Sequence, residues 1–204
     1  MAGYDLVFHA DYLSDEQVEP FVAGGSAVAP VLTLAGNVAE YGNRMGCNQA
    51  FQDAMKARLE MSAKAVTKLR DAGVRVLCGS ESGFSPIPHG HWHSREAELF
   101  VKYMGLSPLE ALKSTTLESA RVFRLDDQTG SIEVGKSADV LVVDGDVSKD
   151  LAILGNPHRQ RALFARGRRV VVSETEERHL HLYEKTHKMS DRPLTREVIF
   201  GEEA

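Results

Sequence analysis

Three short apolar runs restrict the fold of this chain more than any other feature. Each is followed, directly or after a loop, by a segment of helical spacing. Asp5-Leu-Val-Phe-His9 reads as a buried strand, and Ser14-Asp-Glu-Gln17 after it is a capping box that starts a helix. That helix stops by Gly24-Gly25. Val28-Ala-Pro-Val-Leu-Thr33 is the second strand-like run, interrupted by Pro30. From Gln49 to Asp71, Phe51, Met55, Leu59, Ser62-Ala63, Val66 and Leu69 recur at the period of one helix face. Gly73 ends that helix, and Val74-Arg-Val-Leu-Cys78 is the third strand. Ser94 starts a helix that runs to Met104 and closes at Gly105. Ser107-Pro108 opens another. Alternating strands and helices predict an α/β fold with a parallel sheet. In such sheets and barrels the functional residues sit at the carboxyl ends of strands, where His9 and Glu81 stand.

Beyond Arg124 the pattern becomes β-rich. Gly130 to Gly145 reads as strands and tight turns, and Ala162 to Val172 as a hairpin turning near Gly167. The expected organisation is an α/β portion over 1–124, a small β-sandwich-type segment over 125–172, and a charged, partly helical tail over 173–204. With 204 residues, 43% apolar and 26% charged, the chain has the composition of a soluble globular protein. Its net charge of −5 and lack of a basic run argue against nucleic acid or an anionic membrane as partner. Cys47 and Cys78 form neither a CxxC nor a disulfide framework, which fits a reduced, cytoplasmic setting. No signal peptide and no membrane-spanning run is read at the N-terminus.

The stretch Val76-Leu-Cys-Gly-Ser-Glu-Ser-Gly-Phe-Ser-Pro-Ile-Pro-His-Gly-His-Trp-His93 concentrates candidate chemistry: one carboxylate, Glu81, and three of the eight histidines. Read as an extended segment, His89, His91 and His93 face one way. They form either a polar rim that contacts substrate or metal ligands, and the rim is the reading adopted. Glu81 is either a catalytic carboxylate or a surface loop residue, and His9 a ligand or a structural strand-end histidine. Arg95 and Glu96 read as surface charge or as a support for the loop. Asp139, Asp144, Asp146 and Lys136 read as turn residues, and His179-Leu-His181 as a solvated helix face. No nucleophile elbow, P-loop or dinucleotide fingerprint occurs. Cys78 lacks a basic partner and reads as an inert buried thiol.

Five ordered motifs over residues 3–172 resemble the C-terminal half of an amidohydrolase-superfamily metal hydrolase, of the imidazolonepropionase-like and Xaa-Pro-dipeptidase-like branch. Phe8-His9-Ala10 with Leu13-Ser-Asp-Glu16 is similar to the family's sixth barrel strand, and Val31-Leu-Thr-Leu34 to its seventh. Cys78-Gly-Ser-Glu-Ser-Gly83 stands where the family has Gly-Thr-Asp-Ser-Gly. Leu106-Ser-Pro-Leu-Glu-Ala-Leu112, with Thr115-Thr116 and Ala120-Arg121, is similar to the last barrel helices. Gly130-Ser-Ile-Glu-Val-Gly-Lys-Ser-Ala-Asp-Val-Leu-Val-Val-Asp-Gly-Asp146 is similar to the return into a small β-domain. The resemblance implies a partial TIM-type (β/α) barrel made of strands six to eight. It implies a divalent metal (zinc, with manganese or iron as alternatives), with His9 as metal ligand and Glu81 as ligand and general base. It implies a small amide-type substrate touched by His89, His91 and His93. Glu81 replaces the family's aspartate and is one methylene longer. The strands that carry the remaining ligands do not match any part of this chain. Two ligands fall short of the three or four that zinc takes, so the expectation is a homo-oligomer or a separate chain that supplies the rest. The alternative is a non-catalytic half-barrel or interaction subunit.

Overall fold

The structure, a computed structural model, describes residues 3–171 and 194–201. Strand β2 (Ala27–Ala29) is buried along its whole length. It pairs in parallel with β1 (Leu6–Phe8), with Leu6 opposite Ala27 and Phe8 opposite Ala29. The amide of Ala27 donates to Asp5 O, and that of His9 to Ala29 O. Val28 faces the other edge: its N–H donates to Arg75 O, and its carbonyl accepts from Leu77 N. The run expected as a third strand therefore contributes a single parallel bridge, Val28 to Val76. A three-residue strand presents only its middle residue to that side, so the pairing cannot extend.

Val31-Leu-Thr-Leu34, expected as strand, departs from that reading. Val31 turns the chain with φ +58°, and Thr33 opens helix α2 (Thr33–Tyr41). Sequence reasoning missed this helix for a physical reason. Every residue from Thr33 to Val38 is buried, so no polar face alternates with an apolar one to show the period. Gly36 is where α4 (Arg95–Met104) approaches most closely: a Cβ built there would lie 2.6 Å from Leu99 Cδ1.

The other helices follow the expected spacing. The Ser14–Gln17 capping box forms and leads through a short 3-10 turn into α1 (Val18–Gly24), which ends at left-handed Gly25. Helix α3 (Gln49–Asp71) starts at Asn48, whose side chain accepts from Phe51 N. Its face Leu59, Ala63, Val66 and Leu69 packs with Val28, Leu32, Leu99 and Phe100 in the main core. Ser107 and Glu110 form a capping box for α5 (Pro108–Thr115), which is followed by α6 (Leu117–Val122). A second cluster joins Leu34, Val38, Met45, Ile87 and Trp92 to Leu194, just before α7 (Arg196–Phe200).

The C-terminal β-part is an antiparallel sheet in the order β3-β4-β5, from Val140–Val143, Gln160–Ala165 and Arg168–Val170. The hairpin turns at Arg166-Gly167 as expected, whereas Gly130 to Asp139 forms turns without strands. None of the three strands contains a fully buried residue, and Ile132 and Val134 are exposed. From this region Leu151 is buried in the main core and Leu154 packs against it. The alternation of β and α elements is thus present, around three parallel segments with β1 at the outer edge. Most of the expected tail, including His179 and His181, lies outside the described residues.

Replacing Gly36 by Ala drives a methyl into the buried Leu99 side chain. The expected loss is about 1–3 kcal/mol of unfolding free energy, read by urea titration; an unchanged midpoint would contradict the close α2–α4 contact.

Candidate functional site

His9 follows β1 and Glu81 follows the Val76 segment, and the structure brings their side chains together: His9 Nε2 lies 3.8 Å from Glu81 Oε1. Both are about one-third exposed, so the pair lies at the surface end of the strands. The backbone here is unusual. His9, Ala10, Val31 and Glu81 all have φ between +50° and +74°, a region that costs side-chain-bearing residues energy and is least tolerated by β-branched valine. All four stand at or just beyond the carboxyl ends of the parallel segments. Gly79 supports the packing there: a Cβ on it would sit 3.6 Å from Ala29 Cβ and Val31 Cγ2.

Behind His9 stands an ion pair. Arg58 Nε, from α3, donates to Asp11 Oδ2 at 2.8 Å, and Arg58 Nη2 lies 3.4 Å from His9 Nδ1. A guanidinium offers only protons, so in the neutral imidazole this contact favours the lone pair at Nδ1 and the ring proton at Nε2, facing Glu81. Asp11 is only 7% exposed. Its second oxygen, Oδ1, is buried and has no hydrogen-bond partner among the described residues.

The histidine loop departs from the extended reading. It winds through turns, with Gly90 at φ +89°, so the period of two does not apply. Trp92 turns inward and is 1% exposed. His93 Nε2 accepts from Gly90 N at 3.2 Å. Desolvation pushes His93 below the usual histidine range, with His89 and then His91 adding to the effect. His89 lies against Gly83, where an added Cβ would be 3.7 Å from its Nε2. Among the described residues, no group of three or more His, Cys, Asp or Glu side chains is placed to hold a metal ion. His9 and Glu81 converge; the three loop histidines form no such group with them.

Arg95 and Glu96 are corrections. Both read as surface charge, and both are buried, at 5% and 0% exposure. Glu96 Oε1 accepts from Leu32 N, and its Oε2 from Thr33 N, each at 2.8 Å, with the Thr33 hydroxyl donating at 2.5 Å. It therefore satisfies the open amides at the start of α2 from a different helix. Burial pushes its carboxyl up to about 7, against the pull of the hydrogen bonds from Thr33 and Leu32. Arg95 reaches Glu98 at 2.7 Å and Glu40 at 2.6 Å, and its guanidinium lies 5.3 Å from the Tyr41 ring centroid. Burial opposes the charge of Glu40, yet Arg95 and then Lys102 and Tyr103 hold its carboxyl below the usual range. The only sequence signal for this network was adjacency to the loop. Cys78 agrees with its reading: burial, then Glu96, raises its thiol well above the usual value.

The amidohydrolase family model matches residues 34–170. The chain belongs to the amidohydrolase family. It is 31% identical over 173 residues to imidazolonepropionase of Micrococcus luteus, an alignment that spans 83% of this chain and 40% of that protein. It is 28% identical over 179 residues to imidazolonepropionase of Bdellovibrio bacteriovorus, spanning 82% of this chain and 40% of that protein. Among solved structures, a Bifidobacterium longum protein assigned as a prolidase superposes with a TM-score of 0.71 at 30% identity, covering 84% of this chain and 43% of that one. These relatives lie in the branch that the motifs indicated. The chain spans about two fifths of the length of the curated relatives it matches.

A nitrogen and a carboxylate oxygen suit zinc, manganese or iron. Two bonds of about 2.1 Å span at most about 4.2 Å, so the 3.8 Å separation of His9 and Glu81 fits two ligands of one ion. Ligation through Nε2 would release the proton that Arg58 directs to that position.

Glu96 gives a pH dependence of definite sign. Its carboxyl titrates near 4.5 when unfolded and near 7 when folded, so between those values the folded state binds more protons. Stability from this group is fully present below the window and is lost as pH rises through it, by up to about 3 kcal/mol. Glu96→Gln should abolish that slope. It should also cost about 1–3 kcal/mol, because its amide NH2 would face amide donors. Urea titrations at the two ends of the window test both expectations.

Proposed function

We propose that this chain carries part of the active site of a metal-dependent hydrolase of amide or other C–N bonds. The observation that supports this most directly is the approach of His9 to Glu81 at the ends of parallel segments, in a chain of the amidohydrolase family. In this reading His9 and Glu81 are metal ligands, and the metal is zinc, with manganese or iron as alternatives. A bound metal would supply a water of lowered pKa and polarise the substrate carbonyl. Glu81 takes the proton of the attacking water and passes it to the leaving nitrogen. Arg58 and Asp11 orient the His9 ring from behind. His89, His91 and His93 form the rim that meets a small amide-type substrate. The reading includes a cytoplasmic setting; Cys47 and Cys78 are not in a disulfide. Among the described residues, no helix is long and apolar enough to cross a membrane.

The same reading holds that the three parallel segments belong to a (β/α)8 barrel completed by other polypeptide, either a second copy or a separate chain. Three features support it. The outer edge of β1 has no strand beside it among the described residues, and Tyr4, Phe8 and Tyr12 are exposed around it. Asp11 Oδ1 is buried without a partner. The sheet β3-β4-β5 has no fully buried residue in its strands. Unpaired edges and uncovered apolar faces favour association.

Elemental mass spectrometry combined with light scattering tests the proposal. Zinc, manganese or iron should be retained in an assembled form and lost from both His9→Ala and Glu81→Ala. Metal retained undiminished in both variants would sink the ligand assignment. Absence of metal and of C–N hydrolysis from every assembled form would select the alternative, a non-catalytic half-barrel or interaction subunit.

A further inference from the structure

The loop that carries the three histidines is held from outside by residues distant in sequence. Leu194 N donates to Ser85 O at 2.8 Å, and Leu194 O accepts from Trp92 Nε1 at 2.7 Å. One residue thus ties both ends of the loop through its own backbone. Its side chain is completely buried among Leu34, Val38, Met45, Ile87 and Trp92. Two residues on, Arg196 is 6% exposed. Its guanidinium lies 5.7 Å from the Trp92 ring centroid and 5.1 Å from that of Phe200. Its Nη1 is 3.8 Å from Glu98 Oε1, and its Nη2 donates to Ala152 O at 3.4 Å. Phe200 meets Tyr41 edge-on at 6.0 Å, and Tyr41 stacks on Trp92 at 6.1 Å. Glu197 is close enough to His91 for the imidazole to help lower its carboxyl, after burial, which opposes the shift, and the Thr195 hydrogen bond.

We infer that residues 194–200 are a strap that sets the histidine loop, with Leu194 and Arg196 as its positioning residues. The strap supplies what the loop lacks. Ser85 to His93 contains two prolines and a glycine and forms no strand or helix of its own, so its backbone groups need partners from elsewhere. Leu194 meets part of that need: its N–H serves the Ser85 carbonyl at one end of the loop, and its carbonyl holds the Trp92 indole N–H at the other. Arg196 closes the arrangement with a buried ion pair and two ring contacts, interactions whose strength depends on exclusion of water. The consequence for substrate contact rests on the hydrolase reading above; the strap itself does not.

Trp92 is the only tryptophan in the chain, so its fluorescence reports the strap directly. In a chain lacking residues 194–204, the emission should shift to the red and quenching by acrylamide should rise several-fold, with helical circular dichroism retained. In the full chain, Arg196→Met should raise quenching by a smaller factor, and Arg196→Lys should restore part of the protection. Leu69→Ala, which lowers stability in the main core without touching the strap, should leave Trp92 protected. Unchanged quenching in a shortened chain that keeps its helices would overturn the inference. If the shortened chain loses its helices, unchanged quenching in Arg196→Met would do so, as would an equal rise in Leu69→Ala. A protected Trp92 beside an absence of metal and activity would sink the hydrolase reading and leave the strap standing.

Discussion

Glu96 sits without solvent contact between two helices and accepts the amide protons of Leu32 and Thr33 at the start of α2. Much of the site's geometry depends on this contact. It fixes where α2 begins, directly after the left-handed turn at Val31 that ends the central strand's extension. It also anchors the first turn of α4, which places Arg95 against Glu40 and Glu98 on one side. Trp92 and the histidine loop lie immediately before that turn. A backbone carbonyl would do the same work only within one helix; a side-chain carboxylate can do it across a gap between two. The cost of burying its charge is visible in the carboxyl's upward displacement, and the accepted hydrogen bonds offset part of that cost.

Around this joint the candidate centre is built in two unequal halves. His9 and Glu81 come from the segments on either side of β2, and each is held in a backbone conformation that neither residue type favours. Arg58 and Asp11 supply a rigid backing for the imidazole. The opposite side, where further ligands of a hydrolytic metal centre would converge, has no contributors among the described residues. The buried and unpartnered oxygen of Asp11, the open edge of β1 and the uncovered small sheet all point the same way. In the proposed reading these are the positions that further polypeptide covers.

The elements that could be read from the sequence were those whose surroundings leave a pattern. Helix α3 shows its period because one face is wet, and α5 announces itself through Ser107, Pro108 and Glu110. That His9 and Glu81 stand just beyond strand-like segments could be read from the apolar runs before them, and the structure adds their approach to each other. Helix α2 was not legible, since full burial from Thr33 to Val38 erases the alternation on which such readings depend. Arg95 and Glu96 failed for the opposite reason. Charged residues at a helix start are usually solvated, and only the partners brought by Leu32, Thr33, Glu40 and Glu98 make their burial tolerable. Apart from Glu98, three residues on from Arg95, those partners are distant in sequence, so no local pattern could reveal the network. The strap at Leu194 and Arg196 was hidden in the same way.

The shortness of the strands has a kinetic consequence. Val28 must find Val76 on the far side of the whole of α3, and it has one residue's worth of pairing to hold it there. Local structure in α3 forms far faster than any parallel strand pair, because the pair must first close the intervening loop. The helix therefore acts as a folding spacer: once formed, it shortens the search by bringing the ends of its own segment to a fixed distance. During synthesis β1 and β2 emerge well before that spacer is complete. Until then Val28 has no Val76 to pair with, and that edge of β2 stays open.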